Sequence, residues 1–249
     1  MSASRCGIVS EDVYAFSRHT DVKILMIASR KTPLMGVFQR LLDQYGPQGW
    51  WPGHGPLETI IGAILTQNTS WSNAQKALVD LKALVLLNPK ALNCISQTEL
   101  AQIIRSSGAY NSKARKIKAF LAHLKNYYDE DLSILLSREC TVLREELLGL
   151  YGIGEETADV ILLYAAGKTS FVIDAYTRRI LTRLGLEPGG HSYRHYQQWV
   201  ESQLPANVDL YKEYHALLDC HAKEVCRNVP RCSKCCLKNI CPVGMMNAP

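Results

Sequence analysis

Apolar side chains recur along this chain at the three-to-four-residue spacing of helices, and no stretch alternates as a strand does. In residues 112–128, Ile117, Phe120 and Leu121 share one face, and the basic side chains lie outside it. Residues 58–66 are apolar nearly all round, as in a buried helix. The pattern therefore predicts an all-α protein.

Cap residues and glycines give these helices their predicted ends. Thr141 is the predicted cap of a helix that carries Leu143 and Leu147. A helix over Thr157–Ala166 stops at Gly167, because glycine readily takes the left-handed conformation that ends a helix. Further helices are predicted over Asn73–Leu84, Glu99–Ser106, Ala175–Leu184, Tyr193–Gln203 and Val208–His221.

Composition narrows the class of protein without deciding it. The 249 residues are 47% hydrophobic and 20% charged, enough for a substantial core. A net charge of +5 is compatible with a polyanionic partner but does not by itself indicate one. No signal peptide and no apolar run of about 18 residues is evident, which favours the cytoplasm. Residues 1–25 have a weakly structured composition, and Met26 is a second candidate start.

A glycine pair in the segment LYGIG lies between two predicted helices. Gly152 and Gly154 permit positive φ and leave no side chain to obstruct a ligand. Amides at the start of the following helix would then face outward, a geometry that suits a phosphate. An ordinary helix–helix turn is the alternative for the glycine pair alone.

Asp174 is the residue type that commonly caps a helix, and it precedes the helix predicted from Ala175. A cap position favours the ionised carboxylate, because the helix N-terminus carries partial positive charge. Capping alone would explain this residue, and the same carboxylate is also suited to stabilising a positive charge that develops on a sugar.

Four of the nine cysteines, Cys226, Cys232, Cys235 and Cys241, follow the spacing C-x5-C-x2-C-x5-C. Thiolates this close in a chain without a secretory pattern predict a metal centre, either zinc or iron–sulfur. Cys236 stands beside Cys235 and competes with it as a ligand.

Taken together, these segments resemble the endonuclease III superfamily of helix-hairpin-helix (HhH-GPD) DNA glycosylases. The resemblance runs from about residue 35 to 241 and includes LTQNT at 65–69, GAYNSKA at 108–114 and the stretch from Gly152 to Asp174. It implies a two-lobed all-α fold, with one lobe over 53–166 and the other formed by 26–52 and 167–249, and a DNA cleft between the lobes. It also implies double-stranded damaged DNA as the partner of a monomer.

The resemblance assigns roles to individual residues. Asp174 would be the catalytic carboxylate, and the cysteines would hold a [4Fe–4S] cluster. Glu156 stands where strand-cutting members of the family carry a lysine that forms a Schiff base, which predicts a monofunctional glycosylase. The negative charge of Glu156 would stabilise the first turn of its helix, and a second catalytic carboxylate is the alternative role. Hairpin carbonyls can also hold a monovalent cation. Gln67 matches the family's glutamine that enters the duplex and is expected to bind the substrate. DNA contacts are expected from Tyr110, Lys113, Arg115, Gly152, Gly154, Arg178 and Arg179.

Three of the four tryptophans lie around one predicted helix and are either core residues or pocket walls. With Pro52 they resemble the endonuclease-III-like 3-methyladenine glycosylases. Trp51 and Trp71 would then sandwich a flipped alkylated purine, with Trp50 and Pro52 shaping its pocket, because an electron-poor base stacks well on indole. Ala109 departs from this branch, since relatives often carry a larger wedge there.

Three alternatives to 3-methyladenine remain open from the sequence. The same fold acts on mismatched adenine, on uracil or thymine opposite guanine, or on oxidised bases. A protein of a different class would use the hairpin only to bind DNA, without catalysis.

Overall fold

A computed structural model describes residues 32–50 and 55–247, which are helical and contain no strand in those ranges. The expected all-α architecture is therefore confirmed. Contacts divide the chain into two compact units, with the boundaries after residues 52 and 168. The weakly structured segment predicted over 1–25, and the pocket residues Trp51 and Pro52, lie outside the described residues.

The unit formed by residues 55–168 is a bundle of helices. They are α2 Pro56–Thr66, α3 Trp71–Ala83, α4 Pro89–Cys94, α5 Gln97–Ile103, α6 Tyr110–Tyr128, α7 Leu132–Ser137, α8 Cys140–Leu148 and α9 Glu155–Val160. The uniformly apolar α2 lies at its centre and packs on α3, α6 and α9. Ser70, Asn88 and Ser96 cap three of these helices by accepting a hydrogen bond from an amide three residues on.

Several predicted boundaries in this unit differ from the structure by one to three residues, as at Trp71–Ala83 and Gln97–Ile103, and two further differences have an identifiable cause. The cap of α8 is Glu139, whose carboxylate accepts from the amide of Thr141 at 2.8 Å, so Thr141 lies inside the helix. The helix expected over Thr157–Ala166 begins two residues earlier and changes at Ile161–Ala165 to the wider π form. Hydrogen-bond pattern, and not residue type, distinguishes the π turn, so periodicity could not reveal it.

The other unit combines residues 32–50 with 169–247. Its helices are α1 Pro33–Tyr45, α10 Ala175–Arg183, α11 Tyr193–Gln203, α12 Val208–Glu224 and α13 Pro242–Met246. The long α12 is buried along most of its length because α1 and α10 pack against it. Phe38 and Phe171 meet Tyr214 of this helix edge-on and form the centre of the core. Within the described ranges, no helix is both long and apolar enough to cross a membrane.

Candidate active site

The first glycine of the hairpin, Gly152, has the positive φ that the sequence predicts. Gly152 has φ of 77°, the left-handed region that favours glycine. The Lys116 side chain covers it so closely that an added Cβ would lie 2.5 Å from Lys116 Cε. Gly154 opens α9 with ordinary extended backbone and has open space beside it.

A buried ion pair joins the two helices of the hairpin. Arg144 of α8 donates to both carboxylate oxygens of Asp159 in α9, at 2.9 Å from Nε and 3.1 Å from Nη2. Asp159 is fully buried, so this bidentate pair fixes the angle at which α9 leaves the turn.

Gln67, at the end of α2, makes two hydrogen bonds to the hairpin and one to α6. Its Nε2 donates to the carbonyl oxygen of Gly152 at 3.1 Å and to Thr157 Oγ1 at 2.9 Å. Its Oε1 accepts from Lys116 Nζ at 2.5 Å. The glutamine expected to enter the duplex therefore lies beside the turn expected to hold a phosphate.

Lys113 is not placed to contact a phosphate, which corrects its assignment as a DNA-binding residue. It is 2% exposed, and its ammonium donates to the carbonyls of Leu65 at 2.8 Å and Ser107 at 2.6 Å. Burial lowers its pKa to about 8. The long stem of lysine carries the charge from α6 to the end of α2, where free helix carbonyls attract it.

Two other predicted DNA-contact residues of α6 face a different environment. Tyr110 begins the helix and is partly exposed, after Ala109 in the left-handed conformation with φ of 44°. The guanidinium of Arg115 lies 3.9 Å from the ring centroid of Tyr151, which is an exposed hairpin residue. Cation–π stacking of this kind places Arg115 and the hairpin on one surface.

Glu156 and Trp71 are also accessible. Glu156 is exposed in the first turn of α9, where a negative charge complements the helix dipole. Trp71 is the first residue of α3 and is partly exposed.

In the other unit, Asp174 caps α10 with one carboxylate oxygen. Its Oδ1 accepts from the amide of Thr177 at 2.7 Å, and its Oδ2 lies 3.8 Å from His215 Nε2. Burial raises the pKa of Asp174, but His215 and the Thr177 hydrogen bonds outweigh it and hold the pKa below the ordinary value. The side chain remains 17% exposed, so an ionised carboxylate is accessible at this helix terminus.

Trp50 lies against the same histidine. The two rings stack at 5.5 Å between centroids and 28° between planes. The backbone before Trp50 is fixed by Glu213, whose carboxylate accepts from the amides of Gln48 at 2.6 Å and Gly49 at 3.3 Å. The catalytic candidate Asp174 and the pocket candidate Trp50 therefore share one neighbour, His215.

His215 and Glu213 are the functional candidates that sequence reasoning missed. His215 is buried in α12 together with Glu213, Asp219 and His221. A signal was present, because His215, Asp219 and Lys223 recur every four residues and so share one face of a helix.

Arg178 and Arg179 are engaged with protein groups. Arg178 donates to the His191 carbonyl and lies over the ring of Tyr196. Arg179 donates to the carbonyls of Cys226 at 2.9 Å and Ala222 at 3.2 Å. These bonds give Arg179 a structural role, because they hold the start of the cysteine loop against α10.

The cysteine loop receives hydrogen-bond donors suited to thiolate sulfur. Arg183 Nη1 lies 3.3 Å from Cys226 Sγ, and the Gly244 amide lies 3.4 Å from Cys241 Sγ. Cys226, Cys232 and Cys241 are buried and Cys235 is partly buried. No three histidine, cysteine or acidic side chains in the described ranges meet as a ready site for a single ion.

The family model of HhH-GPD superfamily base excision DNA repair proteins matches residues 61–205, a span from α2 through the hairpin and Asp174 to α11. The chain belongs to the HhH-GPD superfamily. It is accordingly a DNA glycosylase of the endonuclease III family that acts in base excision repair.

Relatives of this HhH-GPD protein cover most of its length. A Methanocaldococcus jannaschii protein described as a candidate DNA repair glycosylase is 40% identical over 206 residues, covering 82% of this chain and 94% of the relative. Endonuclease III of Sulfolobus acidocaldarius is 31% identical over 191 residues, covering 76% and 82%. Among solved structures, the H. pylori 3-methyladenine DNA glycosylase bound to 1,N6-ethenoadenine has a TM-score of 0.66 at 27% identity, covering 82% and 97%.

Proposed function

We propose that this protein is a monofunctional glycosylase that removes alkylated purines, above all 3-methyladenine, from double-stranded DNA, acting as a monomer in the cytoplasm. The observation that carries the proposal is the state of Asp174. Its capping bond and low pKa keep a carboxylate ionised at an accessible helix terminus. Loss of a base leaves positive charge on the sugar, and such a carboxylate stabilises that transition state.

Release of 3-methyladenine requires little more than the single carboxylate described above. When the glycosidic bond breaks, its electron pair moves to the base and neutralises the positive charge that methylation placed there. Water then bonds to the sugar carbon and releases a proton to Asp174 or solvent. Because the leaving group is already activated, the enzyme needs mainly a stacking pocket and one anion.

The tryptophans supply the proposed pocket. Trp50 is held in place by its stack on His215, and Trp71 is accessible at the start of α3. We propose that Trp51 and Trp71 sandwich the base, with Trp50, Pro52 and Gln67 around it. Similarity to the H. pylori 3-methyladenine enzyme supports this substrate class. Mismatched adenine, uracil, thymine and oxidised bases remain the alternatives within the family.

The absence of strand cleavage is proposed from Glu156, because a carboxylate cannot form an imine with the abasic sugar. Two lysines of the hairpin unit are engaged with protein groups: Lys113 with two carbonyls, and Lys116 with Gln67. Borohydride should therefore trap no covalent complex with abasic DNA. The Glu156→Lys variant tests the position itself, and a trapped complex with wild-type protein would contradict the proposal.

DNA binding is proposed to use the hairpin unit through Gly152, Gly154, Tyr110, Arg115 and Gln67. Arg178 and Arg179 add positive charge in the other unit. Hairpin carbonyls are proposed to hold a monovalent cation. Contacts of this kind make affinity depend on salt.

A [4Fe–4S] cluster is proposed for Cys226, Cys232, Cys235 and Cys241, and the donor set fits it. Burial and the charges of Cys236, Cys226 and Cys241 together raise the pKa of Cys235 to about 12. The pKa of Cys236 is raised to about 11 by burial, against the opposing charge of Arg40. The hydrogen bonds from Arg183 Nη1 to Cys226 Sγ and from the Gly244 amide to Cys241 Sγ support this donor set. The cluster would shape the loop held by Arg179 and Arg183 and would supply no step of base release.

Base-release profiling tests the proposed substrate. Duplexes with methylated purines, uracil, mismatches or oxidised pyrimidines are compared under single turnover, and 3-methyladenine should be released fastest. Asp174→Asn should slow release by at least about 100-fold while retaining DNA affinity. If release persists unchanged in this variant, the assignment of Asp174 is wrong. If no substrate is released by wild type, the protein is a hairpin DNA-binding module.

A further inference from the structure

Helix α12 places a line of ionisable side chains in the core of its unit, where Glu213 and His221 are also buried. His215 and Asp219 are both buried, and they recur with Lys223 at intervals of four residues. Burying polar groups costs free energy unless they are compensated, so a buried line of them has a specific purpose or specific partners.

Each member of this line has an identified neighbour. His215 lies 3.8 Å from Asp174 Oδ2 and stacks on Trp50. Asp219 pairs with Lys223 Nζ at 2.7 Å, and Lys223 Nζ lies 5.9 Å from the ring centroid of Trp50. The line therefore runs alongside both the proposed catalytic carboxylate and a proposed pocket wall.

The two carboxylate oxygens of Asp174 have different neighbours, and His215 lies beside only one of them. Oδ1 is committed to the Thr177 amide, so Oδ2 is the oxygen that faces the histidine. The stack on Trp50 restricts rotation of the imidazole, which in turn restricts where Oδ2 can lie. We infer that His215 is a positioning residue for base release, fixing the ionised Asp174 relative to Trp50. This inference rests on the proposed catalytic role of Asp174.

The other ionisable groups around Asp174 and His215 are engaged with different partners and do not position Asp174. From α12, Asp219 faces both Asp174 and His215, but its charge is compensated by Lys223, and burial raises its pKa. From α10, the Thr177 groups act on Asp174 alongside His215. From α1, Tyr45 bonds His221. Lys223 also lies near the ring of Tyr176 of α10.

Removing His215 should raise the pKa of Asp174, because burial raises this pKa and the histidine is one of the groups that lower it. The carboxylate must be ionised to act. Activity should therefore be lost at a higher pH in a variant without the imidazole.

The test measures single-turnover base release against pH for wild type, His215→Leu and His215→Gln. At neutral pH, His215→Leu should be slower by about ten-fold, with its acidic limb moved upward by about one pH unit. His215→Gln keeps an N–H donor and should recover most of the rate. Gln197→Leu is the matched control: it removes another buried polar side chain of this unit and should leave the acidic limb in place.

A second readout does not depend on activity. Carboxyl NMR titration of Asp174 should show a higher pKa in His215→Leu than in wild type, with abasic-analogue DNA affinity unchanged within about two-fold. Equal losses in the Leu and Gln variants with an unmoved acidic limb would reduce His215 to a packing role. An unmoved Asp174 titration would overturn the inference. Wild-type protein that released no base would instead refute the proposed function.

Discussion

Gln67 Nε2 lies 3.1 Å from the carbonyl oxygen of Gly152, so the end of α2 is bonded directly to the turn of the hairpin. The same side chain also bonds Thr157 and Lys116. If Gln67 enters the duplex, these three bonds must be exchanged for contacts with DNA. On the proposed role, the glutamine would hold the hairpin in the free protein and contact DNA in the complex.

Gln67→Ala should therefore reduce both stability and recognition of damage. Each lost hydrogen bond contributes about 0.5–1.5 kcal/mol, and the group is partly solvated, so we expect a loss of about 1–2 kcal/mol in unfolding free energy. Affinity for lesion duplex should fall more than affinity for single-stranded DNA. Urea unfolding and fluorescence anisotropy measure the two effects. The exposed Gln102→Ala variant in α5 is the control and should change neither. A stability equal to wild type in Gln67→Ala would show that the three bonds contribute nothing net.

The two hairpin glycines should respond differently to alanine. Gly152→Ala places a Cβ on the Lys116 side chain and forces a left-handed backbone on alanine, which costs about 1–2 kcal/mol before the clash. Gly154→Ala meets open space in extended backbone, so its stability should stay within about 0.5 kcal/mol of wild type.

DNA affinity separates these two effects. Gly154→Ala should weaken binding despite normal thermal unfolding, because a methyl group would obstruct close approach of a phosphate to the hairpin amides. Normal DNA affinity in this variant would argue against the hairpin as the phosphate site.

Much of the fold was accessible from the sequence because its information is local. Apolar period, cap residues and stop glycines specify helices through contacts within a few residues, and Asp174 as the cap of α10 is an example. The failures at α8 and α9 have a different origin. Glu139 and Thr141 can both cap, and the choice depends on how the chain enters the helix.

The site was less accessible, because it depends on contacts between residues distant in sequence. Lys113 is one of several similar lysines in α6, and only the end of α2, 48 residues earlier, makes it a buried side chain. His215 acquires a role only because the fold brings it to Asp174 and Trp50. No local pattern distinguishes Lys113 from an ordinary surface lysine, and the four-residue recurrence that includes His215 indicates a helix face but not the partners of that face.

The Arg144–Asp159 pair should be strongly cooperative. Arg144→Met removes the guanidinium from a fully buried carboxylate, and breaking a buried ion pair in this way costs about 3–5 kcal/mol. Adding Asp159→Leu removes that charge and should restore much of the stability. Denaturant unfolding of the two single variants and the double variant gives the coupling energy. If the effects of the single variants simply add in the double variant, the pair is not coupled and does not set the hairpin angle.

Lys113 predicts a specific dependence of stability on pH. Its pKa of about 8 in the folded protein lies below the value of 10.5 expected for an unfolded chain. Between these two pKa values the unfolded chain binds more protons than the folded protein, so the free energy of unfolding rises as pH rises. The stability gained in this way is lost again as pH falls through about 8. The contribution is on the order of 3 kcal/mol.

Comparison with Lys113→Met isolates this contribution from the other groups that titrate in the same range. Urea unfolding at about pH 7 and about pH 10 should show wild type gaining stability relative to the variant as pH rises. Lys125→Met removes an exposed lysine from the same helix and should follow wild type at both values. Because the two lysines differ chiefly in burial, parallel behaviour of all three proteins would mean that the Lys113 ammonium is as well solvated by the carbonyls of Leu65 and Ser107 as by water, and that its pKa is not lowered.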